Sequence, residues 1–259
     1  MSRTKKPHRL EVFQANMNDA DLLLRLADGT RNDRPRRART EMRSRVGSAL
    51  KIPARRHAEI DCVESVDLFI VLKPDTRFQR ADFEDLRPLL RQALVAGCAA
   101  TETFMNDLVM DHIGEALRSN TPDSARLQEI PMTVGQWREI ESRYKRRGRG
   151  LRELVLKDFV ANYAGTSPTK VGGMMSLLGI EKWSKKMDTY RKSPKGSTEQ
   201  FLTDVTKRRN RVAHSGDRIG QGRAHIAADE VQVALDGLRS VVTAAESVVT
   251  SHFSAPPQK

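Results

Sequence analysis

Apolar residues recur every three or four positions along several stretches of the chain, which is the spacing of amphipathic helices. The longest stretch predicts one helix over about residues 85–117, with Pro88 in the first turn, where a helix tolerates proline. A shorter stretch predicts a helix that ends near Gly29, and a last one predicts a helix over about residues 227–253. The expected fold class is therefore all-α.

Shorter segments fill the middle of the chain. Residues 151–163 and 174–178 are predicted to be helical from their apolar spacing. Prolines and glycines predict a loop over residues 119–131, a flexible Arg-Gly-Arg-Gly run over residues 147–150 and a break over residues 165–173. We expect these segments to connect the long helices and to complete their packing.

One further helix is predicted after a polar connection over residues 185–196. Ser197, followed by Glu199 and Gln200, is typical of a helix start. The Ser215-Gly216 pair is expected to end this helix just after His214, because glycine readily adopts the left-handed conformation that closes a helix. The helix therefore spans about residues 197–214.

The chain is strongly basic, with 45 Lys and Arg against 33 Asp and Glu, a net charge of +12 and a pI near 10. Such a surface attracts RNA, DNA or an acidic membrane face, although it also fits a protein with no polyanionic partner. Residues 31–56 alone carry +8, and Pro35 and Pro53 bracket what we expect to be one exposed helix. We predict a basic helical N-terminal extension, residues 1–80, and a helical domain, residues 81–259.

The sequence gives no indication of a membrane span, a secretory signal or a metal cluster. Its longest apolar run, residues 68–72, is far too short to cross a bilayer and fits either a short strand or a buried helical turn. The first nine residues lack the apolar segment of a signal peptide. Two cysteines, Cys62 and Cys98, form no metal-binding or disulfide pattern, and Cys98 is expected in the core. We expect a cytoplasmic protein that needs neither metal nor cofactor.

The strongest candidate site is the run Arg-Asn-Arg-Val-Ala-His at residues 209–214. Arg209 occupies a position that the helical pattern otherwise gives to apolar residues, and that pattern is formed by Leu202, Val205, Arg209 and Val212. An inward arginine needs a partner, because a buried charge without one is costly. Asn210 and His214 lie four residues apart and so share one side of the helix. This arrangement favours a functional site.

The spacing alone is weak in an arginine-rich chain, since Arg3 and His8 have it too. An arginine and a histidine at a helix end also fit a purely structural role, in which they bind the free carbonyl groups. The combination of an inward arginine, an adjacent asparagine and a histidine in the last turn favours chemistry instead. The negative end of the helix dipole stabilises a protonated imidazole there, and histidine is suited to proton transfer near neutral pH.

Glu102 is a candidate partner for Arg209. It lies in the predicted helix over residues 85–117, on or beside an apolar stripe formed by Cys98, Met105 and Val109. A carboxylate in that position is expected to have a cationic partner, although a glutamate at the edge of the stripe that faces solvent fits the pattern equally well.

The run over residues 208–216, followed by a glycine-containing loop and a long aliphatic helix, resembles the HEPN superfamily, and within it the RiboL-PSP-HEPN type. Residues 99–108 resemble the first core helix of that family, which carries an acidic residue. The resemblance covers roughly residues 80–255 and can be extended to the predicted helix around residues 13–26, and only the Arg-Asn-x3-His run is specific. The basic segments at residues 31–56 and 143–152 have no counterpart in it.

The resemblance implies an up-and-down helical bundle that forms a homodimer, with two Arg-x4-His motifs facing each other across a composite cleft. It implies metal-independent cleavage of RNA by attack of the 2′-hydroxyl, with His214 transferring the proton and Arg209 stabilising the phosphate. Asn210 would orient one of these two side chains, and Glu102 would hold Arg209. Contacts to RNA phosphates are predicted from Arg208, Arg211 and Arg218 near the motif and, on the basis of charge rather than of the resemblance, from Arg36, Arg37 and Arg39. Family members act as toxins or anti-phage effectors, which makes an antitoxin or sensor protein a further candidate partner.

Two other functions fit the same sequence. A non-catalytic HEPN-like module would bind nucleic acid or a partner protein through the basic segment at residues 31–56, and its RNA affinity would fall steeply with salt but survive loss of His214. A subunit of a larger complex would use its helical faces for docking and would show neither cleavage nor tight nucleic-acid binding when isolated.

Overall fold

Helices make up most of the chain that the structure describes. The structure is a computed structural model that describes residues 8–29, 43–44, 47–48, 51–59, 61–62, 69–70, 85–119, 127 and 129–254. The α-helices are α1 (Arg9–Gly29), α2 (Arg87–Ser119), α3 (Val134–Arg143), α4 (Arg147–Leu151), α5 (Lys157–Ala161), α6 (Pro168–Leu177), α7 (Trp183–Arg191), α8 (Ser197–Ser215) and α9 (Ala228–Ser254). The predicted all-helical class is thus confirmed as a mostly helical chain.

Shorter elements complete the described structure. A π-helical segment, Arg152–Leu156, joins α4 to α5, and Ala54–Glu59 forms a 3-10 helix. Strands β1 (Asp61–Cys62) and β2 (Phe69–Ile70) form one antiparallel pair, and β3 (Arg218–Ile219) and β4 (Gly222–Arg223) form another. Residues 69 and 70 therefore form a strand, which was one of the two structures predicted for the apolar run at residues 68–72.

The core forms where α1 and α9 pack along α2, the long central helix. Phe13 of α1 meets Phe104 of α2 edge to face, with ring centroids 5.6 Å apart. On α9, the predicted apolar stripe is buried along its whole length, at Val231, Leu235, Leu238, Val242, Ala245 and Val249. A Cβ on Gly97 of α2 would lie 2.4 Å from Leu235, so this glycine lets the two helices approach closely. The bounds of these three helices agree with the sequence prediction.

The predicted break at residues 165–173 is wrong for its second half, because α6 already begins at Pro168. Gly172 and Gly173 lie inside this helix. A Cβ on Gly172 would lie 2.7 Å from the indole nitrogen of Trp183, and one on Gly173 would lie 2.5 Å from the ring of Tyr163. These glycines therefore provide space for two aromatic rings rather than a flexible connection.

The flexible run predicted at residues 147–150 is also wrong, since these residues form most of α4. Gly150 is buried, and a Cβ there would lie 3.0 Å from both Ile140 and Tyr144. The glycine allows α4 to pack tightly against α3. The glycines of α4 and α6 were predicted to break helices because the local sequence does not show the contacts between elements that they allow.

The polar connection predicted at residues 185–196 contains most of a further helix, α7. Its Met187 and Asp188 are buried, which accounts for a helix in so polar a segment. The Asp188 carboxylate accepts hydrogen bonds from the backbone N–H groups of Gly196 and Thr198. A side chain from α7 therefore caps the start of α8, and Ser197 is the first helical residue rather than the cap.

Helix α1 lies within the predicted N-terminal extension, yet it shares the core of the helices that follow residue 81. The division into residues 1–80 and 81–259 stays a prediction. The helix predicted between Pro35 and Pro53 and most of the loop predicted at residues 119–131 lie outside the described residues. Within the described part of the chain, no helix combines the length and apolar character that crossing a membrane requires.

The capping carboxylate makes the stability of the protein depend on pH in a defined direction. Burial alone would raise the pKa of Asp188, but the hydrogen bonds it accepts from Thr198 and Gly196 outweigh burial and hold its pKa below the usual 3.8. A depressed carboxyl pKa in the folded state stabilises the protein above pH 4, and this contribution is lost as the pH falls through the lowered value.

We therefore expect Asp188→Asn to lower the free energy of unfolding at pH 7 by about 2 kcal/mol, the size of hydrogen bonds to a charged group. The difference from the unsubstituted protein should shrink below pH 4. Urea unfolding at pH 7 and pH 3 measures both effects, with Asp158→Asn on an exposed face as the control. A difference that stays constant down to pH 3 would contradict a role for the ionised carboxylate.

Candidate active site

Helix α8 ends where the sequence predicted, directly after His214. Gly216 adopts a left-handed conformation with φ of 59°, and its N–H donates to the carbonyl of Val212. The next N–H, that of Asp217, donates to the carbonyl of Arg211 at 2.9 Å. These two bonds satisfy carbonyl groups at the helix end and turn the chain sharply away from it. The last turn of α8 is therefore fixed in place.

Arg209 and Glu102 form the predicted ion pair between α8 and α2. Nη2 of Arg209 donates to Oε1 of Glu102 at 2.7 Å, and the two side chains are only 26% and 21% exposed. Nη1 of Arg209 donates to Oδ1 of Asn210 at 3.0 Å. Of the two roles predicted for Asn210, the geometry therefore favours orienting Arg209 over orienting His214. The guanidinium is held from two sides and is still partly exposed to solvent.

His214 lies four residues after Asn210 and is exposed in the last turn of α8. Its imidazole forms no hydrogen bond or ion pair with the residues that the structure describes. A partner molecule can therefore reach both ring nitrogens, as proton transfer to or from a bound substrate requires. Within one chain, the structure brings together a restrained guanidinium and an accessible imidazole on the same helix end.

An apolar floor lies beneath the ion pair. Cys98, one helical turn before Glu102, is fully buried in a cluster with Leu94, Val205 and Leu238. Burial raises the pKa of the Cys98 thiol to about 12, and the nearby Glu102 acts in the same direction. The predicted core position of Cys98 is confirmed. Because these buried residues exclude water from one side of Arg209, its guanidinium can interact with solvent or a bound anion only on its exposed side.

Three arginines converge on the carboxylate of Asp217, a feature that the sequence analysis missed. Asp217 is fully buried and follows the end of α8 in a left-handed conformation with φ of 63°. It accepts hydrogen bonds from Arg211 at 2.8 Å, from Arg208 at 2.7 Å and from Arg91 of α2 at 3.2 Å. Its backbone carbonyl accepts from Ala224 at 2.8 Å. One residue thus joins the end of α8 to α2 and to the chain beyond β4.

The contacts of Arg208 and Arg211 differ from the role that the sequence predicted for them. Both were predicted to bind RNA phosphates, yet both donate to Asp217, and Arg208 also donates to the carbonyl of His225 at 2.6 Å. Their first role is to hold the fold at the end of α8. Both remain partly exposed, so a contact to phosphate stays a prediction. Three guanidiniums around one carboxylate still leave the cluster positively charged.

The hairpin after α8 presents two more arginines. In the register of β3 and β4, Arg218 lies directly opposite Arg223, and both are exposed. Directly opposed side chains of like charge destabilise a strand pair, so this arrangement is unfavourable unless an anion binds between them. Neither arginine forms an ion pair within the described ranges. Arg218 was a predicted RNA contact, whereas Arg223 was not. The position of Arg223 after a glycine-containing turn could have predicted that it lies opposite Arg218.

The remaining predicted contacts, Arg36, Arg37 and Arg39, lie outside the described residues. Where side chains are described, no group of three His, Cys, Asp or Glu residues is placed to hold a metal ion. The site therefore consists of an ion pair on an apolar floor, an exposed histidine, a buried aspartate that fixes the helix end and two arginines on a short hairpin.

The Asp217 cluster gives a strong prediction for stability. Asp217→Asn removes the buried charge to which three guanidiniums donate, and breaking a buried ion pair from one side typically costs about 3–5 kcal/mol. We expect a loss of that size in urea unfolding. The control is Asp236→Asn, which removes an exposed ion pair with Arg239 and should cost less than about 1 kcal/mol. Equal losses in the two variants would contradict a special role for the buried carboxylate.

The apolar floor gives a prediction for thiol reactivity. With a pKa of about 12 instead of 9.0, the Cys98 thiolate is about a thousandfold less populated at pH 8, and only the thiolate reacts rapidly with alkylating reagents. In a Cys62→Ser variant, whose only thiol is Cys98, we expect alkylation of the native protein to be at least that much slower than alkylation in denaturant. Similar rates in the two states would show that water enters the floor.

Comparison with known proteins assigns no family or function to this site. No family model matches the chain. Neither the curated proteins nor the solved structures give a match.

Proposed function

We propose that this chain is a HEPN-type, metal-independent endoribonuclease that acts as a homodimer. The observation that carries the proposal is the geometry at the end of α8. Arg209 is held between Glu102 and Asn210, at 2.7 and 3.0 Å, while His214 stays exposed one turn further on. A fixed cation and a free imidazole on the same helix end are the two kinds of group that cleavage of a phosphodiester by proton transfer requires.

The reaction begins with attack of the ribose 2′-oxygen on the adjacent phosphorus. A base removes the 2′-proton as the new P–O bond forms, and an acid protonates the 5′-oxygen as the old P–O bond breaks. The products are a 2′,3′-cyclic phosphate and a 5′-hydroxyl, with no external reactant consumed. Extra negative charge develops on the phosphate in the transition state, and Arg209 stabilises it through the face of its guanidinium that Glu102 and Asn210 leave open.

Two proton-transfer groups are needed, and the Arg-x4-His motif supplies one histidine per chain. A dimer that brings two α8 ends together provides one His214 as the base and the other as the acid. The proposed fold is accordingly an up-and-down HEPN-like bundle whose motif helices meet at the dimer axis. The exposure of His214 supports this arrangement, since a surface residue is free to face a second copy.

The rest of the site supports binding of the RNA backbone. Arg218 and Arg223 present two guanidiniums from one hairpin, directly after the helix end that carries His214. We propose that they bind a phosphate next to the cleaved bond, which would remove the repulsion between them. By resemblance, the protein acts in the cytoplasm as a toxin or an anti-phage effector, under the control of an antitoxin or sensor protein.

A non-catalytic module that binds nucleic acid is the second candidate function. It is favoured by one observation, the commitment of Arg208 and Arg211 to Asp217, which gives part of the predicted site a structural role. In this case the basic surface would bind RNA, and the ion pair between Arg209 and Glu102 would only join two helices.

Cleavage assays in EDTA test the proposal. We expect the purified protein to cut RNA without added metal, and His214→Ala to lower the rate at least about 100-fold, because general acid–base catalysis contributes that much or more. Arg209→Ala should lower it comparably, and Glu102→Gln less, since the arginine would lose its anchor but not its charge. His225→Ala is the matched control, because His225 is exposed and binds Arg208 only through its backbone carbonyl.

Two results would contradict the proposal in different ways. Undiminished cleavage by His214→Ala would exclude the proposed proton-transfer residue, and RNA binding without cleavage would favour the non-catalytic module. The oligomeric state, measured by light scattering at assay concentrations, tests the composite site. A fully active monomer would show that one copy of α8 is sufficient.

A further inference from the structure

Helices α3 and α4 carry a second basic surface that the proposed cleavage does not use. Residues 138–152 contain seven basic and two acidic side chains, a net charge of +5. We use the name Trp137 surface for the exposed Trp137, which directly precedes this region, together with five exposed basic residues of the region, Arg138, Lys145, Arg146, Arg147 and Arg149. It corresponds to the basic cluster that has no counterpart in the family resemblance.

Specific packing holds this surface in shape. Ile140 of α3 is buried against α4, and Gly150 lies so close to Ile140 and Tyr144 that a Cβ would come within 3.0 Å of each. The side chain of Gln136 donates to the carbonyl of Leu154 at 3.2 Å, which ties α3 to the π-helical segment. The short turn between α3 and α4 is thus fixed, and the basic side chains project from a rigid support.

An exposed aromatic ring lies among these charges. Trp137 is 38% exposed, and the guanidinium carbon of Arg147 lies 5.5 Å from the centre of its ring. Val134, one helical turn earlier, is 71% exposed. An indole that stacks with a guanidinium also stacks with the flat face of a nucleobase. The surface therefore combines an aromatic platform with a dense positive field.

The carboxylates of this region do not neutralise it. Arg143 pairs with Glu139 at 2.9 Å and Arg147 with Glu141 at 3.4 Å, both on the solvent-exposed surface, where such pairs are weak. The other basic side chains of the surface form no ion pair with any residue in the described ranges, and these are Arg138, Lys145, Arg146 and Arg149. Four unneutralised charges on the same two helices and turn as the exposed indole of Trp137 match the requirements of a polyanion that carries planar groups.

This surface is separate from His214. Arg152, which follows this surface in sequence, reaches Asp111 of α2 at 3.5 Å. Asp111 is nine residues after Glu102, which is about two and a half helical turns, or roughly 14 Å along the axis. The two carboxylates therefore lie on opposite sides of α2, so the segment that follows the Trp137 surface contacts a different side of α2 from the one that Arg209 contacts.

We propose that the Trp137 surface binds single-stranded nucleic acid. Trp137 stacks on an unpaired base, and the surrounding lysine and arginine side chains bind the flanking phosphates. A double helix fits less well, because its bases are already stacked and hide their faces from an aromatic side chain. This binding goes beyond the proposed cleavage and does not depend on it.

Intrinsic fluorescence tests the stacking directly, because the chain has two tryptophans and the second, Trp183, is partly buried against Gly172 in a different part of the fold. The probe is a single-stranded oligodeoxynucleotide, which lacks the 2′-hydroxyl and so cannot be cleaved by the proposed reaction. We expect titration to quench the emission of the full-length protein. Trp137→Phe should abolish the quenching, and Trp137→Ala should weaken binding about 5- to 100-fold, the typical contribution of one stacked base.

Salt dependence tests the phosphate contacts. Each contact to a single strand contributes about 0.7 to the slope of log affinity against log salt concentration. Replacing Arg146 and Arg149 together by Gln should therefore lower the slope by about 1.4. The control, with Lys185 and Lys186 of α7 replaced by Gln, removes the same charge from another exposed surface and should change the slope little.

Three results would overturn the inference. These are the absence of quenching by the oligonucleotide, quenching that persists in Trp137→Phe, and equal loss of salt slope in the arginine variant and the lysine control. Binding of poly-glutamate as tight as that of the oligonucleotide would assign the surface to an acidic protein partner instead. A failed cleavage assay would leave these binding results unchanged, so the two proposals fail separately.

Discussion

The buried carboxylate of Asp217 is the constraint on which the end of helix α8 depends. A charge removed from water must be neutralised and fully hydrogen-bonded, and here the three guanidiniums of Arg91, Arg208 and Arg211 do so. These arginines come from two helices that are far apart in sequence. Neutralising one charge therefore fixes the last turn of α8, the hairpin behind it and the crossing with α2. The position of His214 follows from that arrangement.

Some arginines at this helix end have structural roles, and others remain free to bind an anion. Arg208 and Arg211 face the inside of the turn and bind Asp217, whereas Arg218 and Arg223 lie on the exposed hairpin. Arg209 is intermediate, because Glu102 holds it while one side of its guanidinium stays open. A guanidinium fixed in this way loses little conformational freedom when it meets a phosphate. The arrangement favours binding of an anion at a defined point over diffuse attraction.

The sequence predicted the features that depend on periodicity and local chemistry. The bounds of α2 and α9, the stop after His214 and the pairing of Arg209 with Glu102 all follow from apolar spacing and from the cost of an inward charge. Helix α7 and the glycines of α6 were missed because long-range contacts determine them. Trp183 and Tyr163 fill the space above Gly172 and Gly173, and no local pattern shows that approach. Asp217 was missed for the same reason, since its partner Arg91 is 126 positions away.

The basic residues of the described chain therefore have at least two different roles. Part of the positive charge is internal, and it exists because buried carboxylates such as Asp217 need partners. Another part lies on the Trp137 surface, where the described carboxylates leave most of it unneutralised. Removing internal charge should alter stability, and removing surface charge should alter binding and its dependence on salt. Net charge by itself cannot separate these roles, whereas the burial and ion pairing of each arginine can.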